Sequence, residues 1–183
     1  MFALTTTTNR WTQVFEHPTE FTLIKNNLLT TLPVLPREWM VDFMFKPTNV
    51  TMKGLKSILH LTDKDRNSLT YGGRIPSVWL STASFHLEYA RNNTATKTHT
   101  MPGPPVGKWT QITIIQEDFS GKSRYRVLID GVEKYNVENP QDGHFNNVRV
   151  YASDPWYNGQ PGYIKNLSVK AKIQEALLEG KVE

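Results

Sequence analysis

In the stretch Tyr125-Arg-Val-Leu-Ile-Asp-Gly-Val-Glu-Lys-Tyr-Asn-Val137, an Asp-Gly pair separates two runs rich in β-branched and aromatic residues. Asp-Gly between such runs is a strong signal of a β-hairpin, because glycine accepts the positive φ that a type I′ turn requires. The stretch therefore predicts two antiparallel strands joined by a tight turn at Asp130-Gly131.

Outward from this hairpin, the same alternation recurs along most of the chain. Trp39, Val41, Phe43 and Phe45 fall on one face of a predicted strand, with Asp42 on the other. About ten such segments are separated by clusters of Gly, Pro, Asn and Asp. This spacing predicts an all-β fold, a two-sheet antiparallel β-sandwich of the jelly-roll type.

The run from Trp109 to Gln116 carries apolar residues on both faces, which is typical of a central strand. Trp109 shares a face with Gln111, Thr113 and Ile115. We expect Trp109 to open this strand and to fill the space between the two sheets.

Only the end of the chain has helical periodicity. Ile173, Ala176 and Leu177 share one face of a helix predicted over residues 172–179. If the apolar stripe of that helix is exposed, it favours self-association. The predicted organisation is a flexible lead-in over 1–9, a β-sandwich domain over 10–170 and a helical tail over 171–183.

Four segments occur in an order that is typical of one superfamily. They are Glu38-Trp-Met-Val-Asp-Phe-Met-Phe45, Gly107-Lys-Trp-Thr-Gln-Ile-Thr-Ile114, Tyr125-Arg-Val-Leu-Ile-Asp-Gly-Val132 and Gly162-Tyr-Ile-Lys-Asn-Leu167. With them, residues 38–170 resemble the laminin G-like and concanavalin A-like jelly-roll superfamily. The resemblance implies a two-sheet sandwich that is usually extracellular and binds glycans or proteins. The chain departs from many laminin G-like domains because it has no cysteine pair.

Composition excludes several kinds of chemistry. Without cysteine there are no disulfides, thiolate metal sites, Fe–S clusters or cysteine nucleophiles. The net charge of +4 is spread along the chain, so we expect no nucleic-acid partner. No apolar run approaches the roughly 20 residues of a membrane span. The start of the chain lacks the pattern of a secretory signal, so the extracellular location that we expect implies a signal peptide absent from this sequence.

Catalytic motifs are missing from the sequence, and we expect no enzyme activity. A retaining glycosidase needs two carboxylates about 5 Å apart, but Glu117 and Asp118 are adjacent and Glu88 stands alone on its segment. There is no G-x-S-x-G motif. His60 and His86 alternate within predicted strands, and we expect both to face solvent.

No cofactor is expected, although calcium stays open. Residues 63–67, Asp-Lys-Asp-Arg-Asn, look like the start of a calcium loop, but Ser68 and Arg74 occupy the positions that need Gly and Glu. The stretch is therefore interpreted as a polar turn. A calcium site at a rim of the sandwich, built from Asp154 and loop carbonyls, is the remaining alternative.

The candidate ligand-binding loop is Asp154-Pro-Trp-Tyr-Asn-Gly159. Trp156 and Tyr157 offer flat apolar faces that suit sugar rings or a partner side chain, and Asp154 and Asn158 supply polar groups. The alternative is that Trp156 folds back and plugs the end of the sandwich.

These features favour a non-catalytic recognition module that binds a glycan or an extracellular protein. A structural, self-assembling extracellular protein is the alternative, and a glycoside hydrolase comes third. Lys122, Arg124 and Arg126 alternate along one strand face, which suits either a sulfated glycan or a solvated outer surface.

Overall fold

The alternating runs of the sequence form antiparallel strands in the computed structural model, which describes residues 7–91, 94–140 and 143–176. The strands are β1 (Thr7–His17), β2 (Phe21–Thr22), β3 (Leu28–Leu35), β4 (Trp39–Pro47), β5 (Lys56–Thr62), β6 (Ser77–Ser81), β7 (Ser84–Arg91), β8 (Thr94–Pro102), β9 (Thr110–Phe119), β10 (Lys122–Ile129), β11 (Val132–Glu138), β12 (Phe145–Tyr151) and β13 (Gly162–Ala176). Within those ranges there is no helix. A helix long and apolar enough to cross a membrane is accordingly not found in them.

Two sheets share these strands. Sheet A has the order β1-β13-β4-β9-β10-β11, with β2 also paired to β13, and sheet B has the order β3-β12-β5-β6-β7-β8. Every strand pairing is antiparallel. The predicted antiparallel two-sheet sandwich is confirmed.

The core lies between the sheets, and β4 shows how the alternation builds it. Trp39, Val41, Phe43 and Phe45 are at most 1% exposed, whereas Asp42 on the opposite face is partly exposed. The inner faces of β5, β6, β7 and β12 supply the facing layer from sheet B. The predicted shared face of β4 is therefore the core face.

The hairpin predicted at Asp130-Gly131 joins β10 to β11. Ile129 pairs with Val132, so the loop has two residues. Asp130 has a φ of 49° and Gly131 a φ of 76°. Two successive positive φ values are those of a type I′ turn, whose twist matches the twist of the flanking strands.

We expect Gly131→Ala to lower the free energy of unfolding by about 1–2 kcal/mol, because an L side chain is strained at positive φ. Gly143→Ala is the matched control, since an added Cβ meets nothing within 4 Å at either position and only Gly131 has a positive φ. Urea unfolding of both variants measures the difference. Equal losses would show that the turn conformation is not the cause.

Trp109 is not a core residue, so this expectation was wrong. It precedes β9, is partly exposed, and shares the outer face of sheet A with Gln111 and Thr113. Ile112 and Ile114 face the core at 1% and 0% exposure. The predicted alternation is correct, but the face with Ile112 and Ile114 is the core face, so Trp109 lies on the outer face.

The predicted tail helix is also not present in residues 172–176, the part of it that the structure describes. Residues 172–176 continue β13, and β1 pairs with them, with Trp11 opposite Lys172 and Arg10 opposite Ile173. A short helix is marginal alone, whereas β1 offers this segment a full backbone hydrogen-bond ladder. Residues 177–183 of the predicted tail and residues 1–6 of the predicted lead-in lie outside the described residues, and residues 7–9 belong to β1.

Candidate functional site

The loop from Asp154 to Gly159 lies against the outer face of sheet B. The amide of Ser57, on β5, donates to the carbonyl of Asn158 at 2.8 Å, and the amide of Gln160 donates to the carbonyl of Ser57 at 2.9 Å. The amide of Asn26 donates to the carbonyl of Asp154 at 3.1 Å. Backbone bonds therefore fix the loop at both ends, to β5 at one end and to the turn before β3 at the other.

Asp154 anchors the loop from beneath and is 0% exposed. Its Oδ2 accepts hydrogen bonds from Ser57 Oγ at 3.0 Å, His60 Nδ1 at 3.1 Å and Trp79 Nε1 at 3.2 Å. Its Oδ1 accepts from the backbone amides of Trp156 at 3.0 Å and Tyr157 at 2.7 Å. Burial raises the pKa of this carboxyl, but the bonds from His60, Tyr157 and Ser57 outweigh burial and hold the pKa below its usual value.

His60 is buried, contrary to the expectation that it faces solvent. It is 0% exposed because the loop covers this part of the outer face. Nδ1 lies 3.1 Å from Asp154 Oδ2, and Nε2 lies 2.8 Å from the carbonyl oxygen of Gly73. Both partners are hydrogen-bond acceptors, so the ring is held between two oxygens. His86 on β7 is partly exposed.

Ser57, His60 and Asp154 do not form a catalytic triad despite their proximity. Ser57 Oγ donates to the carboxylate at 3.0 Å, and both ring nitrogens of His60 already face oxygen acceptors. A triad needs the histidine between the nucleophile and the carboxylate. This arrangement instead holds a loop in place.

Aromatic rings fill the space between the loop and the sheet. The ring of Trp156 lies 5.3 Å from that of His60 and 6.3 Å from that of Tyr151. The ring of Tyr157 lies 5.8 Å from that of Trp79. Trp156 and Tyr157 stay partly exposed, so each ring covers the cluster and also presents surface to solvent.

The side chain of Asn158, near the end of the loop that is bonded to β5, is exposed. Of the predicted ligand-binding residues, the structure therefore places Trp156, Tyr157 and Asn158 where a ligand can reach them. Asp154 lies below them.

A buried ion pair extends the same cluster. The guanidinium of Arg74 contacts the carboxylate of Glu88, and both residues are largely buried, at 5% and 9% exposure. The guanidinium carbon lies 5.0 Å from the centroid of the Trp79 ring. The bond between His60 and the carbonyl oxygen of Gly73 places the loop around Arg74 beside the 154–159 loop.

Sequence reasoning missed His60, Trp79 and the Arg74–Glu88 pair as supports of the site. One signal was present. His60 is the single imidazole in Ser57-Ile-Leu-His-Leu-Thr62, a run whose neighbours are mostly apolar. A polar residue at a fixed place in such a run indicates a partner on another segment.

The other candidates are paired surface groups. Arg126 bonds Glu117 at 2.8 Å and Glu133 at 2.6 Å, and Lys122 bonds Glu138 at 3.2 Å. These contacts match the solvated-face interpretation of the basic stripe.

Residues 63–67 form a bend after β5, in which Asp63 pairs with Lys64 at 2.9 Å. Within the described ranges no group of three or more His, Cys, Asp or Glu is placed to hold a metal ion.

Known proteins with a similar fold include binding domains. No profile of a known protein family matches the sequence, and no curated protein matches it. Domain 4 of AbnA, a GH43 extracellular arabinanase from Geobacillus stearothermophilus solved with arabinotriose, has a TM-score of 0.51 at 15% identity, over 78% of this chain and 66% of that one.

The receptor binding domain of botulinum neurotoxin D has a TM-score of 0.59 at 13% identity, over 90% of this chain and 43% of that one. The type G receptor binding domain has a TM-score of 0.55 at 11% identity, over 91% and 43%. The chain thus spans about two thirds of the arabinanase domain and less than half of the toxin domains. At these identities the likeness is one of fold, the two-sheet β-sandwich.

Proposed function

We propose that this chain is a non-catalytic, extracellular recognition module of the laminin G-like and concanavalin A-like type, and that it binds a glycan through the 154–159 loop. The observation that carries the proposal is the five-donor anchor on Asp154, which holds two aromatic rings and an amide in a fixed, reachable arrangement. A site that is ordered before the ligand arrives loses less entropy on binding.

Each loop residue has a distinct role in the proposal. Trp156 and Tyr157 supply apolar ring faces for the C–H groups of a sugar. Asn158 supplies an exposed amide donor and acceptor. Asp154 is a positioning residue rather than a contact, because its oxygens are buried and occupied.

Two comparisons support a binding role. The arabinanase domain of similar fold was solved with a bound trisaccharide, and the toxin domains are described as receptor-binding. The arabinanase is also described as extracellular, which supports the proposed location. The alternative ligand is an extracellular protein, and experiment must distinguish it from a glycan.

The absence of catalysis is supported by how the acidic groups are engaged. Glu88 pairs with Arg74, Glu117 with Arg126, and Asp118 with Arg37. A hydrolytic carboxylate must instead reach the substrate, alone or with a second carboxylate at a set distance.

A second candidate, self-assembly, rests on strand β3. It forms an edge of sheet B, and Leu28 and Val34 on it are 48% and 49% exposed. An apolar edge strand is a template for pairing with another chain. Light scattering over a concentration series would reveal such association, and a monomer at all concentrations would remove this candidate.

We expect Trp156→Ala to weaken glycan binding by about 30-fold, as loss of a tryptophan hot spot does. The free energy of unfolding should fall by about 1–2 kcal/mol, because the ring is only partly buried. A glycan array with purified protein, run with calcium and again with a chelator, identifies the ligand and its metal requirement. Titration of the best ligand then measures the change.

Phe119→Ala is the matched control, since Phe119 is an aromatic residue exposed at 44% outside the loop. It should leave binding unchanged. If Trp156→Ala and Asn158→Ala both bind the array ligand as tightly as the wild type, the loop is not the site.

A further inference from the structure

A row of aromatic and basic side chains crosses one end of the outer face of sheet A. Strand register places Tyr163 of β13 directly opposite Lys46 of β4. Trp109 lies just before β9, the strand on the other side of β4. Lys165 follows two residues after Tyr163, on the same face. These four residues, Trp109, Tyr163, Lys46 and Lys165, are called the Trp109 platform below.

The two lysines hold the aromatic rings. Lys46 Nζ lies 4.6 Å from the ring centroid of Trp109 and 4.8 Å from that of Tyr163. Lys165 Nζ lies 4.3 Å from the ring centroid of Trp109. These distances are within the range of cation–π attraction. All four residues are partly exposed, so the rings are positioned without being sealed from solvent.

The platform carries more positive than negative charge. Among the described residues, the Lys46 ammonium forms one ion pair, with Glu20 at 3.9 Å, and the side chain of Glu20 is 45% exposed. Lys165 makes no ion pair with any described residue. By contrast, Lys172 on the same strand bonds Glu38 at 2.9 Å. Two positive charges against one negative leave a net charge of one positive beside an accessible indole.

We propose that the Trp109 platform is a binding site for a carboxylated sugar, such as a uronic acid unit of a glycan. The C–H face of the sugar packs on the exposed part of the indole, and its carboxylate lies between the Lys46 and Lys165 ammonium groups. With Glu20 counted, one ligand carboxylate balances the remaining positive charge. The site is separate from the 154–159 loop and stands whether or not that loop binds a glycan.

The size and surroundings of the platform favour a small acidic ligand over a polyanion. The row Tyr163, Lys46, Trp109 crosses three strands, about 10 Å, which is the width of one or two sugar rings. Asp42 lies four residues before Lys46 on the same face, and it accepts bonds from Gln111 at 2.9 Å and Thr113 at 2.7 Å. A nucleic-acid backbone that followed the face would meet this carboxylate.

Titration with matched sugars tests the proposal. The probes are a glucuronic acid-containing disaccharide and its neutral glucose counterpart, which differ only at the carboxylate. We expect the acidic sugar to bind about tenfold more tightly at low salt and the difference to shrink as salt rises. Trp109→Ala and Lys165→Gln should each weaken binding of the acidic sugar by about five- to thirtyfold. A melting curve confirms that each variant is folded.

Lys170→Gln is the matched control, because Lys170 lies on the outer face of the same strand and its ammonium group makes no cation–π contact with a ring of the described residues. It should bind the acidic sugar like the wild type. Equal affinity for the acidic and neutral sugars, or an equal loss in Lys170→Gln, would overturn the proposal. Binding confined to sulfated sugars, duplex DNA or vesicles of anionic lipid would overturn it too. Loss in Trp156→Ala but not in Trp109→Ala would place the ligand on the 154–159 loop instead.

Discussion

Replacing Asp154 with alanine is expected to lower the free energy of unfolding by about 3–5 kcal/mol, because five hydrogen-bond donors lose their acceptor at once. The substitution leaves His60, Trp79 and Ser57 facing a cavity, together with the amides of the loop. A buried donor without an acceptor is destabilising, because its desolvation free energy is no longer offset by a hydrogen bond. Urea unfolding followed by fluorescence measures the change.

Asp65→Ala is the control for this variant. Asp65 also pairs with an arginine, Arg149, but its side chain is 86% exposed. An exposed ion pair contributes about 0–1 kcal/mol, so the control should stay close to the wild type. Similar losses in both variants would contradict the anchoring role of Asp154.

The same anchor predicts a dependence on pH. The pKa of Asp154 is lower in the folded protein than in the unfolded chain. The carboxylate therefore stabilises the fold fully above its unfolded pKa of about 3.9, and this contribution is lost as the pH falls through the folded pKa. The difference between wild type and Asp154→Ala should accordingly shrink as the pH falls through the acid range in which Asp154 becomes protonated. A difference that grows in acid would contradict the direction of the shift.

Trp39→Ala is expected to cost about 3–5 kcal/mol, while Trp109→Ala costs about 1 kcal/mol or less. Trp39 is 1% exposed and packs edge-on against Tyr125 at 6.2 Å between centroids. Trp109 lies outside the core and is partly exposed, and the ammonium groups of Lys46 and Lys165 lie over its ring. Thermal unfolding of the two variants, identical in chemistry, compares the two positions. A larger loss of stability in Trp109→Ala than in Trp39→Ala would contradict the assignment of Trp109 to the outer face of sheet A.

The alternation of residues predicted which side chains share a face but not which face is inner. For β4 the answer followed from the sequence, because only one face is consistently apolar. For β9 both faces carry apolar residues, and the choice was made by the partners of the strand, Phe43 and Phe45 on β4, which pair with Ile112 and Thr110. Such pairing is a long-range fact that local sequence does not contain.

The candidate loop was located from sequence, whereas its support was not. Pro155 and the two aromatic residues marked the loop because they are local features. Its anchor joins Asp154 to Ser57, 97 residues earlier in the chain. The burial of His60 depends on the same distant segment, which is why alternation alone assigned it to solvent. The turn at Asp130-Gly131 was predictable in full, since a two-residue hairpin depends only on adjacent residues.

The position of β13 in sheet A determines when the sheet can be completed during synthesis. β13 lies between β1 and β4 and is hydrogen-bonded to both. Until residues 162–176 have left the ribosome, β1 has no partner in sheet A and one edge of β4 stays open. An unpaired strand edge invites pairing with other chains. The nascent chain therefore carries these unpaired edges until this strand emerges, which makes β13 the strand that closes sheet A on this side.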